Sequence, residues 1–228
     1  MSRTAPTLPD DLDALRAGID AVDDRLHAAL AERAGLVRRV AAAKGGAATW
    51  RPAREAAILR RLSPAPPLAA DAARAVQRAV IGAFTAMQRP LEVLLAGDDA
   101  KAAALAGAHF GGCAAYVPLP CIAAGFEALG ERPGAILVVP VTAAAPWWLR
   151  CAAEGGPKVL AVLGGGSAFC VGHAPLEPSG DDLALTVAEG APADALASAG
   201  GSALVAAARG APADPLVGLV ARHPGDGL

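Results

Sequence analysis

The sequence predicts an α+β protein of more than one domain: an all-α N-terminal domain of three helices, intertwined with a second copy, followed by a small α/β domain. Three observations predict it. Residues 11–44 contain no proline and repeat apolar side chains at helical spacing. Charged residues concentrate before Pro90 and thin out after it. Beyond Pro90, short β-branched runs alternate with Ala-rich runs, separated by glycine. The domains are therefore drawn as residues 1–90 and 91–228.

Leu12, Leu15, Ile19, Val22, Leu26, Leu30, Val37 and Val40 mark one face of a helix over residues 11–44. Asp10 and Asp11 suit its start, where carboxylates meet free N–H groups, and Gly45-Gly46 ends it. A second helix begins at Pro52, pre-organised for a first turn, and runs to Leu62 before Ser63-Pro64-Ala65-Pro66-Pro67. A third, from about Leu68 to Gln88, carries Ala72, Val76, Val80, Phe84 and Met87 on one face and is closed by Pro90. The first helix is roughly 50 Å long, too long for two shorter partners to cover, so its apolar stripe calls for a second chain.

The second domain reads as strand Leu91–Ala96, helix Ala100–Phe110, strand near Ala114–Val117, helix Ile122–Leu129 and strand Ala135–Val141. Further strands are predicted at Val159–Leu163, Phe169–Gly172, Leu183–Val187 and Leu216–Val220, with a helix around Ala193–Ala199. Gly164-Gly165-Gly166 reads as a plain turn, because no phosphate-loop lysine follows it. Trp147-Trp148 reads as a core or interface anchor, and Asp181-Asp182 as a solvated turn.

Composition excludes several function classes. With 54% hydrophobic and 18% charged residues the chain is globular. Its 20 basic and 22 acidic residues leave a net charge of −2, so no global field recommends a nucleic acid or an anionic membrane. No apolar run is long enough to span a bilayer, Met1–Pro9 lacks a signal-peptide core, and a cytoplasmic location is expected. Cys113, Cys121, Cys151 and Cys170 lack CxxC pairing and read as buried, reduced thiols; no metal and no cofactor are expected.

The informative oddity is a set of cations on an apolar helix face. Positions 7 or 11 residues apart lie within about 20° of one another on a helix. Arg33 thus shares the stripe of Leu26, Leu30, Val37 and Val40, and Lys44 returns to it. Arg16 lies about 100° away, so it is expected to reach the partner chain's site. Buried cations need an anion, and Glu32 and Glu55 are too few nearby, which points to an anionic ligand.

At these residues the sequence resembles the all-helical chorismate mutases. LDALRAGIDAVDDRLHAALAERAGLVRRVAAAK, RPAREAAILRRL and AVIGAFTAMQRPL carry the resemblance over about residues 11–90, most specifically through Arg16, Glu32-Arg33 and Lys44. It implies a homodimer that converts chorismate to prephenate in aromatic amino-acid biosynthesis, with Arg16 crossing the interface. It implies that Arg33 and Arg54 bind the carboxylates, that Lys44 and Gln88 contact the ether oxygen, and that Glu55 holds the ring hydroxyl. Two further site-lining positions depart from the family: Arg51 stands where an acid is common, and Phe84 where a small hydroxyl residue is.

The second half is similar to the prephenate dehydratase that follows the mutase in bifunctional enzymes, through QRPLEVLLAG, AAALAGAHFG, GAILVVPV and SAFCVGHAPLEPSGDDLALTV. Its chemical parts are replaced by Gly97-Asp98-Asp99, Thr142-Ala143-Ala144 and Ser167-Ala168-Phe169. A shrunken α/β remnant without dehydratase activity is expected, with an ACT-like end too short to be complete. The rivals are an isochorismate-pyruvate lyase of the same fold and a non-catalytic regulatory or sensor protein.

Overall fold

A computed structural model describes residues 11–44, 50–62, 68–142, 145–190, 192, 195–206 and 216–222, with Lys44 as backbone alone. The chain divides into two compact units, Met1–Gly46 and Ala47–Leu228. The compositional boundary at residue 90 falls inside the second unit.

The first unit is helix α1, Leu12–Lys44, a single run of 33 residues. The Asp11 carboxylate accepts the Asp13 N–H at 3.2 Å, meeting one of the free donors of the first turn. Asp10 and the predicted Gly45-Gly46 stop lie outside the described residues.

In the second unit, α2 spans Pro52–Leu62 and α3 spans Ala70–Gln88; Ser63–Pro67, the predicted stop of α2, lies outside the described residues. The buried face of α3 is Ala73, Ile81, Phe84 and Thr85. Val76 and Met87, on the predicted apolar face with Phe84, are 55% and 45% exposed. An Ala-rich helix offers more than one apolar stripe, and the neighbouring helix selects among them.

The remainder is one nine-stranded sheet of order β2-β1-β3-β5-β4-β9-β6-β8-β7. β1 (Glu92–Ala96), α4 (Ala100–Phe110), β2 (Ala115–Leu119), α5 (Ile122–Glu131) and β3 (Ile136–Pro140) follow the predicted alternation. β1 pairs parallel with both β2 and β3. After the short α6 (Trp148–Ala152), β4 (Lys158–Leu163) and β5 (Ala168–Gly172) form an antiparallel hairpin whose β5 edge joins β3. Its turn places Gly164, Gly165 and Gly166 at φ of 56°, 63° and 97°, a left-handed run that side chains resist. β6 (Asp182–Glu189), β7 (Ala197–Ala199), β8 (Ser202–Ala206) and β9 (Gly218–Ala221) complete the sheet.

Where the sequence pattern predicts a helix around Ala193–Ala199, the described part is strand β7, paired antiparallel with β8. Alanine's helix propensity yields there to sheet pairing. Two of the four thiols expected to be buried, Cys113 and Cys121, are exposed, while Cys151 and Cys170 are buried. Asp182 opens β6 and is half-buried, its carboxylate accepting the N–H groups of Ser179 and Gly180 at 2.8 and 3.1 Å.

Strand alternation sends side chains to two cores. Leu94, Leu137 and Val139 face α5 and the buried pair Trp147 and Trp148. Val93, Ile136 and Val138 face α4 together with Trp50, the residue that leads into α2. The mutase-like helices α2 and α3 are thereby anchored on the α4 side of the sheet, where α3 contacts α4 and α2 contacts β9.

Close approach of α3 to α4 depends on Gly82, where a Cβ would meet the Phe110 carbonyl oxygen at 2.9 Å. Gly→Ala inside a helix ordinarily stabilises by about 1 kcal/mol. Gly107 of α4, with nothing within 4 Å of its added Cβ, should follow that rule. Gly82→Ala is expected to lower the melting temperature and Gly107→Ala to raise it, as thermal unfolding of the two variants would record.

Candidate functional site

The residues singled out by sequence fall in both units. On α1, Arg16 is exposed and pairs with Asp13 one turn earlier at 3.2 Å. Arg33 is half-buried, like Leu30 and Val37 of its stripe. The Lys44 side chain lies outside the described residues.

In the second unit, Arg51 precedes α2 and Arg54 and Glu55 lie in its first turn, a placement fixed by Pro52 at the first helical position. Arg54 is exposed. Arg51 makes a two-point ion pair with Glu177, Nε to Oε2 at 2.9 Å and Nη2 to Oε1 at 2.6 Å. Its charge is thus met by a carboxylate 126 residues away, a planar fork arrangement that arginine favours. Phe84 is 8% exposed. Gln88 is half-buried; its Nε2 lies 3.5 Å from the Phe84 carbonyl oxygen, and its buried Oε1 makes no hydrogen bond.

Glu55 has the most constrained setting. It is 7% exposed; Glu55 and Thr85 are the polar or charged residues buried as whole residues among those described. Its Oε2 accepts the indole N–H of Trp50 at 3.0 Å. Its Oε1 faces the Arg78 Nε at 3.6 Å and the His109 Nε2 at 3.7 Å, both beyond hydrogen-bond length. Trp50, His109 and Phe110 stack edge to face, with ring centroids 4.7 to 5.9 Å apart. Burial pushes the Cys170 thiol up, and the negative charge of Glu55 raises it further. Glu55, Arg78 and His109 also line a small cavity of about 20 Å³, enough for one water molecule.

Sequence reasoning missed Trp50, Arg78 and His109. Arg78 was within reach of it: the residue lies three positions before Ile81 and seven before Thr85, hence on the face of α3 that is buried. Trp50 and His109 carry no such signal, since only the tertiary fold brings the end of α4 to α2.

Chemically, the arrangement combines cations with amide and carboxylate groups. Among the described residues no set of His, Cys, Asp and Glu is placed to hold a metal ion. No described helix is long and apolar enough to cross a membrane. At the carboxyl ends of β1 and β3, where a sheet of this order takes ligands, Asp99 caps α4 through Ala102 N–H at 2.9 Å. Its other oxygen accepts the Thr142 hydroxyl at 3.0 Å, so the two loops there are tied to each other.

Comparison with known proteins places the helical segment in context. Residues 15–89 match the family model Chorismate mutase type II. A curated relative, the bifunctional chorismate mutase/prephenate dehydratase of Neisseria gonorrhoeae (strain ATCC 700825 / FA 1090), is 32% identical over 129 residues, which is 55% of this chain. The chain spans 36% of that relative's length. No solved structure matches the chain. An alignment of 129 residues does not fit within the helical segment, so the likeness runs on into the α/β part. Over residues 15–89, the chain carries the sequence pattern of the type II chorismate mutases.

Proposed function

We propose that this protein is a chorismate mutase that rearranges chorismate to prephenate for aromatic amino-acid biosynthesis, with a non-catalytic, dehydratase-like second half. The family match over residues 15–89 carries the reading, because it spans the helices that hold Arg16, Arg33, Lys44, Arg54, Glu55 and Gln88. In this reading residues 1–90 form the mutase domain, residues 91–228 the remnant, and the protein works in the cytoplasm without a cofactor.

The reaction is pericyclic and needs neither nucleophile nor metal; geometry and electrostatics suffice. Arg33, Arg54 and a partner chain's Arg16 would hold the two carboxylates so that the enolpyruvyl group lies over the ring, removing much of the entropic barrier. Lys44 and Gln88 would stabilise the charge that grows on the breaking ether oxygen. Glu55, at the position the family resemblance assigns, would hold the ring hydroxyl. Pairing with Glu177 spares the substrate region the full charge of Arg51, and Phe84 would narrow the pocket. For the remnant, Gly97-Asp98-Asp99, Thr142-Ala143-Ala144 and Ser167-Ala168-Phe169 in place of the dehydratase's chemical parts support absence of dehydratase chemistry.

The apolar stripe of α1 supports a homodimer. Ile19 is 61% exposed and Leu26 57% in the single chain, with Leu12, Val22 and Leu36 each at 50% or more. A row of this extent is the kind of face that association covers. Val76 and Met87 on α3 add to the apolar surface left for a second copy.

Incubation with chorismate should yield prephenate, and Lys44→Ala or Arg33→Ala should lower kcat/KM by about 100-fold or more while the chain stays folded. Salicylate and pyruvate from isochorismate would instead establish the lyase reading, and turnover of neither substrate a sensor. Coexpressed Arg16→Ala and Arg33→Ala chains should regain activity that neither has alone, since one of the two sites in a mixed dimer is intact; an inactive mixture would refute the shared site.

A further inference from the structure

We propose that the sheet-bearing half serves as a built-in scaffold for α2 and α3, so that these two helices fold and hold their places only as part of one cooperative unit with the sheet. Their own resources are small. α2 has 11 residues, below the roughly 12–15 at which an isolated helix becomes even marginally stable in water. What it buries, Glu55, Ala56 and Leu59, needs a surface to be buried against. β9, the last described strand of the chain, supplies part of that surface, and α3 another part. α3 in turn rests on α4.

Three kinds of contact tie the helices to the sheet. Apolar packing is the first: Trp50, which leads into α2, is 5% exposed and shares a core with Val93 of β1, Ile136 and Val138 of β3 and Leu160 of β4. Close backbone approach is the second, where α3 meets α4 at Gly82 with no room for a Cβ before the Phe110 carbonyl oxygen. Polar ties are the third, and they come from the segment between β5 and β6. Glu177 takes the Arg51 guanidinium in its two-point pair, and the Ser179 carbonyl oxygen accepts from Arg60 Nη2. Pro175 and Leu176 of the same segment line a small cavity with Pro52 and Ala53. The segment thus holds α2 from just before its first turn to its last. Arg54 stays exposed while Glu55 and Ala56 beside it are buried. In the mutase reading, on which the functional side of this inference rests, a substrate-binding arginine is presented by a short helix whose other face is fixed to a sheet. Retention of a half that lacks the dehydratase's chemical parts then has a physical reason: it is the rigid support of the helices.

Native-state hydrogen exchange on the full-length chain tests this, followed peptide by peptide, since the slowest amides of a cooperative unit all exchange through its global opening. Leu137→Ala deletes a fully buried side chain of β3 in the core on the other side of the sheet from Trp50. It should accelerate the slowest amides of β3 and β5 by about 100-fold, and those of α2 and α3 by the same factor. In the reverse direction, Leu59→Ala on α2 should accelerate the slowest amides of β3 and β5 as much as those of α2. Val139→Ala, a smaller deletion in the same core as Leu137, carries the comparison if Leu137→Ala does not fold. Slowest amides of α2 and α3 that keep their wild-type rate while the sheet opens faster, or a sheet indifferent to Leu59→Ala, would overturn the proposal. Exchange needs no substrate, so a folded wild-type chain that leaves chorismate unchanged would overturn the mutase reading alone.

Discussion

Burying the carboxylate of Glu55 costs several kcal/mol unless donors and cations meet it, and that requirement draws separate stretches of the second unit together. The indole of Trp50, the guanidinium of Arg78 and the imidazole of His109 converge on it from the segment before α2, from α3 and from α4. Each is held by something else: Trp50 and Phe110 belong to the core under α4, and Gly82 lets α3 approach the carbonyl that ends α4. Helices α2 and α3 and the sheet are consequently packed as one compact unit, with a shared buried charge between their elements.

The long helix α1 imposes the second constraint. A helix of 33 residues with exposed leucines, isoleucine and valines along its length has apolar surface that water does not favour. In the dimeric reading a partner covers that stripe, and the same step brings Arg16 to a site that also uses Arg33. Cations brought together in this way repel one another until an anionic substrate arrives, which suits a reaction that begins with a dicarboxylate and proceeds by holding it folded.

Much of this architecture was legible because periodicity is a direct readout of burial. The proline-free run of α1, Pro52 at the start of α2 and the strand-helix alternation of β1 through β3 come straight from spacing and punctuation. The legible part ended where alanine carried the pattern. Alanine suits several faces of a helix and is tolerated in strands, so α3 buries Ala73, Ile81 and Thr85 beside Phe84, and β7 stands where a helix was expected. The strand β8 and helix α6, each of five residues, are too short to show a period. Pairings across large sequence separations, Arg51 with Glu177 and Glu55 with His109, leave no local trace. Only the fold discloses that the two positions differ in their use of charge: Arg51 is engaged in an ion pair at the surface, whereas Glu55 is turned inward.

In the mutase reading, the cations of these helices are preorganised around a folded dicarboxylate. Calorimetric titration of the full-length protein with a rigid bicyclic ether dicarboxylate, shaped like the cyclic transition state, tests it most directly, because such mimics bind more tightly than substrate wherever catalysis works by differential binding. One molecule should bind per chain, more tightly than chorismate, with affinity lost in Arg33→Ala. Absence of binding by the folded wild-type protein, or equal affinity in the Arg33 variant, would contradict it.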